Sequence, residues 1–161
     1  MFITYTVSFF GHRHIDYFFK YEDKLYTLVH KLISKNQYVD FLVGRDGDFD
    51  QLASSVVHRA KRDLGAERCG LTWVMPYQKA EYYKNAEAFD KYYDSVEVCA
   101  KSAKSHYKSA IQIRNKSMVD CSDFVVFFVE HNYGGAYQTM KYAKKHGKKI
   151  INIAEKDFVQ G

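Results

Sequence analysis

The chain has 161 residues, enough for one domain with a real core and too few for two. Apolar residues make up 47% of it, with one proline and nine glycines, which excludes a disordered or fibrous chain. The net charge of +5 is milder than the clustered excess that nucleic-acid-binding domains usually carry. We therefore expect one globular domain over residues 1–161, with nucleic acid an unlikely partner.

Neither a membrane segment nor a metal site is expected. The longest apolar run, Phe124–Val129, suits a buried strand, and the N-terminus lacks the basic start and cleavage site of a secretory signal. The three cysteines have no C-x-x-C spacing, and no histidine lies at zinc-ligand spacing from them. These features predict a cytoplasmic chain with reduced cysteines, no metal and no membrane partner.

Strands and helices are predicted to alternate along the chain. Alternating side chains predict a first strand over Phe2–Phe10, and apolar residues at helical spacing predict a helix over Tyr21–Lys35. Short apolar runs predict four more strands, over Val39–Val43, Leu71–Met75, Asp123–Val129 and Lys149–Ile153. Further helices are expected after the second strand, over about Tyr107–Cys121, and up to His146. The weaker pattern over Tyr77–His106 predicts one or two short helices and a loop.

This alternation predicts an α/β fold: a single Rossmann-like, doubly wound domain with a mainly parallel five-stranded sheet and helices on both faces. The simplest strand order, 3-2-1-4-5, puts the topological switch between the first and fourth strands, where ligands bind at the carboxyl ends. Three motifs fall there: Gly11-His12-Arg13, Gly44–Asp50 and Gly134-Gly135. We expect a nucleotide-like ligand between the turn Gly44–Asp50 and the loop Tyr133–Thr139.

The turn Gly44–Asp50 combines two glycines, Gly44 and Gly47, with three acids and an arginine between a strand and a helix. Helix capping explains part of this, with Asp48 as the N-cap residue and Asp50 in the first turn. In the functional interpretation, Asp50 binds a ribose hydroxyl or activates a water, and Arg45 meets an anion.

The pair Gly134-Gly135 precedes a helix, where a glycine backbone can approach a phosphate and present its N–H groups. Thr139, one turn later, can add a hydrogen bond. An ordinary strand-to-helix turn is the alternative interpretation. At the end of the first strand, Arg13 is a second candidate anion ligand, and His12 is a candidate ligand contact or a structural histidine.

Arg114 lies on the predicted helix that starts at Tyr107, where helical spacing aligns it with Tyr107, Ile111 and Met118. A guanidinium on such an apolar stripe is costly unless it meets an anion. The anion can be a ligand phosphate, with Asn115 assisting. In the structural interpretation, Arg114 pairs with an internal acid such as Asp120, Asp123 or another carboxylate, or its side chain extends to water.

Five segments, taken in chain order, resemble the YpsA-like branch of the SLOG superfamily, which also contains DprA/Smf-type proteins and LOG-type phosphoribohydrolases. The first segment is Gly11-His12-Arg13 and the last is Gly134-Gly135. Between them, Gly47–Ala53 resembles a G-x-D-x-x-A turn, and Pro76-Tyr77 resembles a Pro-aromatic strand end. Arg114–Asp120 resembles an R-N-x-x-(apolar)-V-D helix. The resemblance covers nearly the whole chain and implies a Rossmann-like fold with a nucleotide pocket.

LOG-type enzymes cleave the N-glycosidic bond of nucleoside monophosphates, and their helix arginine resembles Arg114. Their catalytic glutamate, in the pattern P-G-G-x-G-T-x-x-E, is missing here, because Met140 and Lys141 stand where it belongs. The first hypothesis is therefore a sensor or sequestering module for a nucleotide, with no cofactor assigned beyond that nucleotide-like ligand. The second is an N-glycosidase or phosphoribohydrolase with Asp50 as base or nucleophile and Arg114 as phosphate anchor, and Asp46 and Glu130 are the other acids that can replace the glutamate. The third is DprA-like nucleic-acid binding. A homodimer, with the Tyr-rich middle segment as interface, is a further hypothesis.

Overall fold

The computed structural model describes residues 2–17 and 19–155, which form a six-stranded parallel sheet. The strands run in the order β4-β3-β2-β1-β5-β6. Their bounds are β1 Thr4–Gly11, β2 Tyr38–Val43, β3 Cys69–Met75, β4 Ser95–Val98, β5 Phe124–Phe128 and β6 Ile150–Asn152. Every residue of β3 and β5 is buried, as expected for central strands that are covered on both faces.

Seven helices connect the strands within the described residues: α1 Phe19–Lys35, α2 Asp48–Leu64, α3 Ala80–Lys84, α4 Ala86–Tyr92, α5 Ala100–Ala103, α6 Tyr107–Asp120 and α7 Gly135–Lys145. Side chains of the first four pack into a core on one face of the sheet, around Phe9, Phe41 and Trp73. Residues of α6 and α7 pack on the opposite face, around Phe10 and Phe127. The fold is therefore a doubly wound α/β sandwich.

The predicted fold class and strand order are confirmed. The five predicted strands correspond to β1, β2, β3, β5 and β6. Their order in the sheet, β3-β2-β1-β5-β6, is the predicted one. The strand that the sequence did not reveal is Ser95–Val98, which pairs with β3 at the edge of the sheet. It has four residues, and none of them is fully buried, so it lacks the apolar run that identifies the other strands.

Two local predictions need correction. Asp48 is the first residue of α2, and Gly47 occupies the N-cap position; the Asp48 carboxylate instead accepts the N–H of Ile15 at 3.0 Å. Tyr107 does not belong to the buried stripe of α6, because it is 65% exposed. The buried residues of that helix are Ala110, Arg114, Asn115, Met118 and Val119.

β1 is the topological switch. The chain moves from β1 to β4 on one side of it and then crosses back through α6 to β5 on the other side. The segments that follow β1, β2 and β5 therefore meet at one edge of the sheet. No helix in the described residues is long and apolar enough to span a bilayer. In the same residues, no three His, Cys, Asp or Glu side chains converge as metal ligands.

Candidate functional site

A cavity of about 530 Å³ lies at the carboxyl ends of β1, β2 and β5, at the topological switch. Nine of the twelve predicted binding residues line it: Gly11, His12, Arg13, Gly44, Asp50, Arg114, Asn115, Gly134 and Gly135. Residues that are distant in the sequence meet here because three parallel strands end at the same edge.

Three predicted residues, Arg45, Thr139 and Gly47, do not line the cavity. The Arg45 guanidinium points toward α3 and α4. Its Nε donates a hydrogen bond to Glu81 Oε1 at 3.0 Å, and its Cζ lies 4.9 Å from the centre of the Phe89 ring. Thr139 is 1% exposed, and its hydroxyl donates to the Gly135 carbonyl and accepts a bond from the Asn115 amide. Arg45 and Thr139 hold elements in place around the site.

Gly47 joins the segment that follows β1 to the segment that follows β2. A Cβ atom at Gly47 would overlap the Cα of Arg13 and stand 2.8 Å from its side chain and its carbonyl oxygen. The next amide, Asp48 N–H, donates to the Arg13 carbonyl at 2.8 Å. A glycine is required because the two backbones touch.

Replacing Gly47 by alanine is expected to lower the free energy of unfolding by about 1–3 kcal/mol, since the new methyl forces two backbone segments apart. Chemical denaturation measures the change. The matched control is Gly135→Ala, whose Cβ would meet only the flexible end of Gln112, at 2.9 Å. Equal losses in the two variants would show that the close approach to Arg13 is not the cause.

Arg114 is 2% exposed, and each of its three guanidinium nitrogens donates a hydrogen bond within the protein. Its Nη2 donates to Asp46 Oδ2 at 2.6 Å, and Nη1 donates to the Val74 carbonyl at 3.1 Å. Nε and Nη2 both reach Asn115 Oδ1, at 3.1 and 2.9 Å. The internal ion pair that the sequence left open is thus present, with Asp46 as the acid. Arg114 ties α6 to the segment that follows β2 and to β3.

Asp46 is surrounded by positive charge. Burial by itself would raise the pKa of its carboxyl, but Arg114, Lys79 and Arg13 outweigh burial, and the pKa lies below its ordinary value. The Lys79 ammonium stands 3.7 Å from Asp46 Oδ1. Asp46 is therefore ionised at neutral pH, and it cancels much of the charge that Arg114 would otherwise offer to a ligand.

Asp50 is half-buried in the cavity wall, in the first turn of α2. Its Oδ2 accepts the N–H of Asp46 at 2.8 Å. Burial raises the pKa of Asp50 to about 6, and the neighbouring Asp46 charge adds to the rise; the hydrogen bond and the charges of Arg114 and Arg13 oppose it. Asp50 is the acid in this cavity whose protonation changes near neutral pH.

His12 begins a stack of three aromatic rings along the cavity wall. Its Nε2 accepts the N–H of Glu130 at 2.8 Å, and burial together with the neighbouring His131 lowers its pKa. The His12 ring is therefore neutral, and its ring centre lies 3.7 Å from that of His131, with 10° between the planes. His131 in turn lies 3.8 Å from Tyr133, at 16°.

Two cations in the cavity have no acid at ion-pair distance in the described residues, although the charge of Arg13 still acts on Asp46 and Asp50. Arg13 and Lys108 are both exposed, and neither forms an ion pair or a side-chain hydrogen bond in residues 2–17 and 19–155. Beside them lies the N-terminus of α7, whose first N–H groups have no acceptor in the helix. Gly134, with φ of 92°, adopts the left-handed backbone that leads into that helix. This wall of the cavity suits an anion.

Several cavity residues were not among the predicted binding residues, chiefly Lys108, Gln112 and His131; Tyr133 was predicted only as the first residue of the loop beside the ligand. A signal for two of them is present in the sequence: Gln112 and Lys108 precede Asn115 by about one and two helical turns, on the side of α6 that carries the predicted residues. His131 and Tyr133 lie two residues apart in a loop. No periodicity in the sequence places their rings against His12.

A shallow groove of about 750 Å³ continues from the cavity between α6 and α7. The two share Gln112, Gly134 and Gly135. Four lysines line the groove: Lys116, Lys141, Lys144 and Lys145. Positive charge therefore extends beyond the cavity along one side of the molecule.

No family model and no curated protein matches the chain. Solved structures do share its fold. DNA processing protein A (DprA) from Streptococcus pneumoniae is 14% identical, with a TM-score of 0.64 over 91% of this chain and 49% of that one. DprA from Helicobacter pylori, described for its single-stranded DNA binding mode, is 13% identical, with a TM-score of 0.62 over 91% and 63%.

A third structure, that of TM1055, is 16% identical, with a TM-score of 0.60 over 91% of this chain and 72% of that one. The chain spans about half to two-thirds of the length of the two DprA proteins. At these identities the likeness establishes the fold alone. This likeness agrees with the Rossmann-like fold that the sequence motifs imply.

Proposed function

We propose that this chain binds a nucleotide or nucleotide-derived ligand, as a sensor or sequestering module of the YpsA-like SLOG type. The observation that carries the proposal is the cavity at the topological switch, which is lined by the N-terminus of α7 and by Arg13 and Lys108, two cations that form no ion pair in the described residues. The volume of about 530 Å³ lies within the range of small-molecule sites. Arg114 organises this site, while Arg13, Lys108 and the α7 amides meet the phosphate.

Thermal unfolding against a panel of nucleotides tests this function. A ligand at a hundred times its Kd stabilises the folded state by about 2.7 kcal/mol, which raises the Tm of a chain this long by about 5–10 °C. We expect Arg13→Ala and Lys108→Ala to remove most of that rise. The matched control is Lys84→Ala, an exposed lysine on α3, which should keep it. A panel without any shift, or a shift that both cavity variants retain, would contradict the proposal.

A second candidate function is hydrolysis of the N-glycosidic bond of a nucleoside monophosphate. The residues at the position of the LOG-type glutamate do not line the cavity: Met140 is 7% exposed in the core, and Lys141 is exposed in the neighbouring groove. Asp50 favours this function, because it lines the cavity and its pKa of about 6 suits a general base. Release of free base that Asp50→Asn abolishes would establish hydrolysis, and binding without release would exclude it for the nucleotides tested.

Single-stranded nucleic acid is a third candidate, favoured by the groove lined by Lys116, Lys141, Lys144 and Lys145. A DNA strand with one nucleotide in the cavity can lay its next phosphates on these lysines. The similar fold of the DprA proteins, one of which is described as binding single-stranded DNA, adds support. Affinity for an oligonucleotide should then fall steeply with salt and fall again in Lys141→Glu. Equal affinity for the oligonucleotide and for its single nucleotide would contradict this function.

A further inference from the structure

His12, His131 and Tyr133 form a continuous column of rings, which we call the aromatic stack. The two ring-centre spacings, 3.7 and 3.8 Å, and the angles of 10° and 16° are those of nearly parallel, stacked rings. All three residues line the cavity. The column leads from His12, which is 9% exposed, out to Tyr133, which is 67% exposed.

The inner part of the aromatic stack is held firmly. The bond from the Glu130 N–H fixes the His12 ring, which also meets Phe128 edge-on, with 6.2 Å between ring centres. His131 is confined between the other two rings, and its Nδ1 lies 3.2 Å from the Tyr133 carbonyl oxygen. The position of Tyr133 at the outer end is thus set before any ligand arrives, which reduces the entropic cost of binding against it.

The Tyr133 ring has one face covered by the protein and one face open to the solvent. His131 covers one face of its ring, yet two-thirds of the residue remains accessible, so the opposite face is open. The phenol oxygen forms no hydrogen bond in the described residues. Tyr133 also directly precedes Gly134, so its ring stands beside the α7 N-terminus. A planar group on the open face would lie next to the anion-binding wall.

We propose that Tyr133 is the base-stacking residue of this cavity: the nucleobase of the ligand becomes the fourth ring of the aromatic stack, while the phosphate meets Arg13, Lys108 and the α7 amides. The inference rests on the proposed nucleotide-binding function and adds how the base is recognised. Stacking accepts any base, since every base has a π-face, and it favours the larger purines. The base can belong to a free nucleotide or to one residue of a single strand.

Calorimetric titration of the full chain with AMP, CMP and ribose 5-phosphate tests the inference. We expect AMP to bind more tightly than CMP, and both more tightly than ribose 5-phosphate. In Tyr133→Ala the Kd for AMP should rise about 5- to 150-fold, the range that corresponds to the loss of one base–aromatic stack. Tyr133→Phe should stay within about twofold of the unchanged protein, because the ring persists. Ribose 5-phosphate should bind equally well to all three.

The matched control is Tyr83→Ala, an exposed tyrosine of α3 that does not line the cavity. A second readout distinguishes stacking from a structural role: the base protons of bound AMP should shift upfield in the NMR spectrum when position 133 carries tyrosine or phenylalanine, and not when it carries alanine. A short oligonucleotide that binds no better than AMP identifies the free nucleotide as the source of the base, and tighter binding identifies a strand.

Different negative results would overturn the base-stacking role of Tyr133 and the proposed nucleotide-binding function. If ribose 5-phosphate binds as tightly as AMP, the base is not recognised, and this inference is overturned while the proposed function stands. An equal loss of both ligands in Tyr133→Ala would also overturn it, since Tyr133 would then only shape the loop. If neither AMP, CMP nor ribose 5-phosphate binds the unchanged protein, the proposed function itself fails for these ligands, and the base-stacking role fails with it.

Discussion

Replacing Arg114 by alanine is expected to lower the free energy of unfolding by about 3–5 kcal/mol, the usual cost of leaving one partner of a buried ion pair without the other. The variant removes the donors to Asp46, the Val74 carbonyl and Asn115 Oδ1 at once. Lys79, 3.7 Å from Asp46, partly neutralises the carboxylate that remains. The expected decrease in the free energy of unfolding therefore lies toward the lower end of this range. Urea denaturation at pH 7 measures it.

Two further variants define the cause of this loss. Lys116→Ala, two residues along α6 and exposed, should change the free energy of unfolding by less than about 0.5 kcal/mol. The double variant Arg114→Ala/Asp46→Asn should be less unstable than the sum of its two single variants, because no uncompensated carboxylate remains. If Arg114→Ala keeps full stability and loses only ligand binding, Arg114 is a ligand anchor and not a structural ion pair.

Replacing Asp50 by asparagine is expected to stabilise the protein above pH 6. The folded-state pKa of about 6 lies above the ordinary value of 3.8, so between these pH values the folded chain keeps a proton that the unfolded chain has lost. The free energy of unfolding therefore falls as pH rises through this window, by up to about 3 kcal/mol. The asparagine side chain carries no charge and can still accept the Asp46 N–H. We expect a gain of about 1–3 kcal/mol at pH 8 and almost none at pH 4.

The measurement is urea denaturation of both proteins from pH 4 to pH 8, with Asp23→Asn as the control, since Asp23 is exposed on α1. The Asp50→Asn variant should also bind a phosphate-bearing ligand more tightly at pH 7.5, because an ionised Asp50 repels it. A pH dependence of binding that persists in Asp50→Asn would have a source other than the Asp50 carboxyl. A gain in stability that is equal at pH 4 and pH 8 would show that the Asp50 charge is not its source.

Local patterns were sufficient to predict most of the fold. The apolar runs over Val39–Val43 and Phe124–Val129 correspond to β2 and β5, and alternation of strands and helices implies parallel pairing with a predictable order. β4 was not predicted, because an edge strand of four half-buried or exposed residues contains no apolar run. Its place was decided by pairing with β3.

Part of the site was predictable for the same reason. Turns at the carboxyl ends of β1, β2 and β5 must meet at the topological switch, and seven of the nine candidate residues in these turns line one cavity. Arg45 and Arg114 both looked like anion ligands, yet each finds an internal acid, Glu81 and Asp46 respectively. A sequence shows that a charge needs a partner and does not show which partner lies within reach.

The amino-acid sequence by itself determined the fold class, the strand order around β1 and the gathering of three glycine-containing loops, because these depend on local periodicity and on the geometry of parallel strands. Only the tertiary structure decided which charges are neutralised inside the protein and which face the cavity. It also brought His12, His131 and Tyr133 into one stack. Such contacts join segments that lie far apart in the sequence, and they depend on distances of a few ångströms that no local pattern encodes.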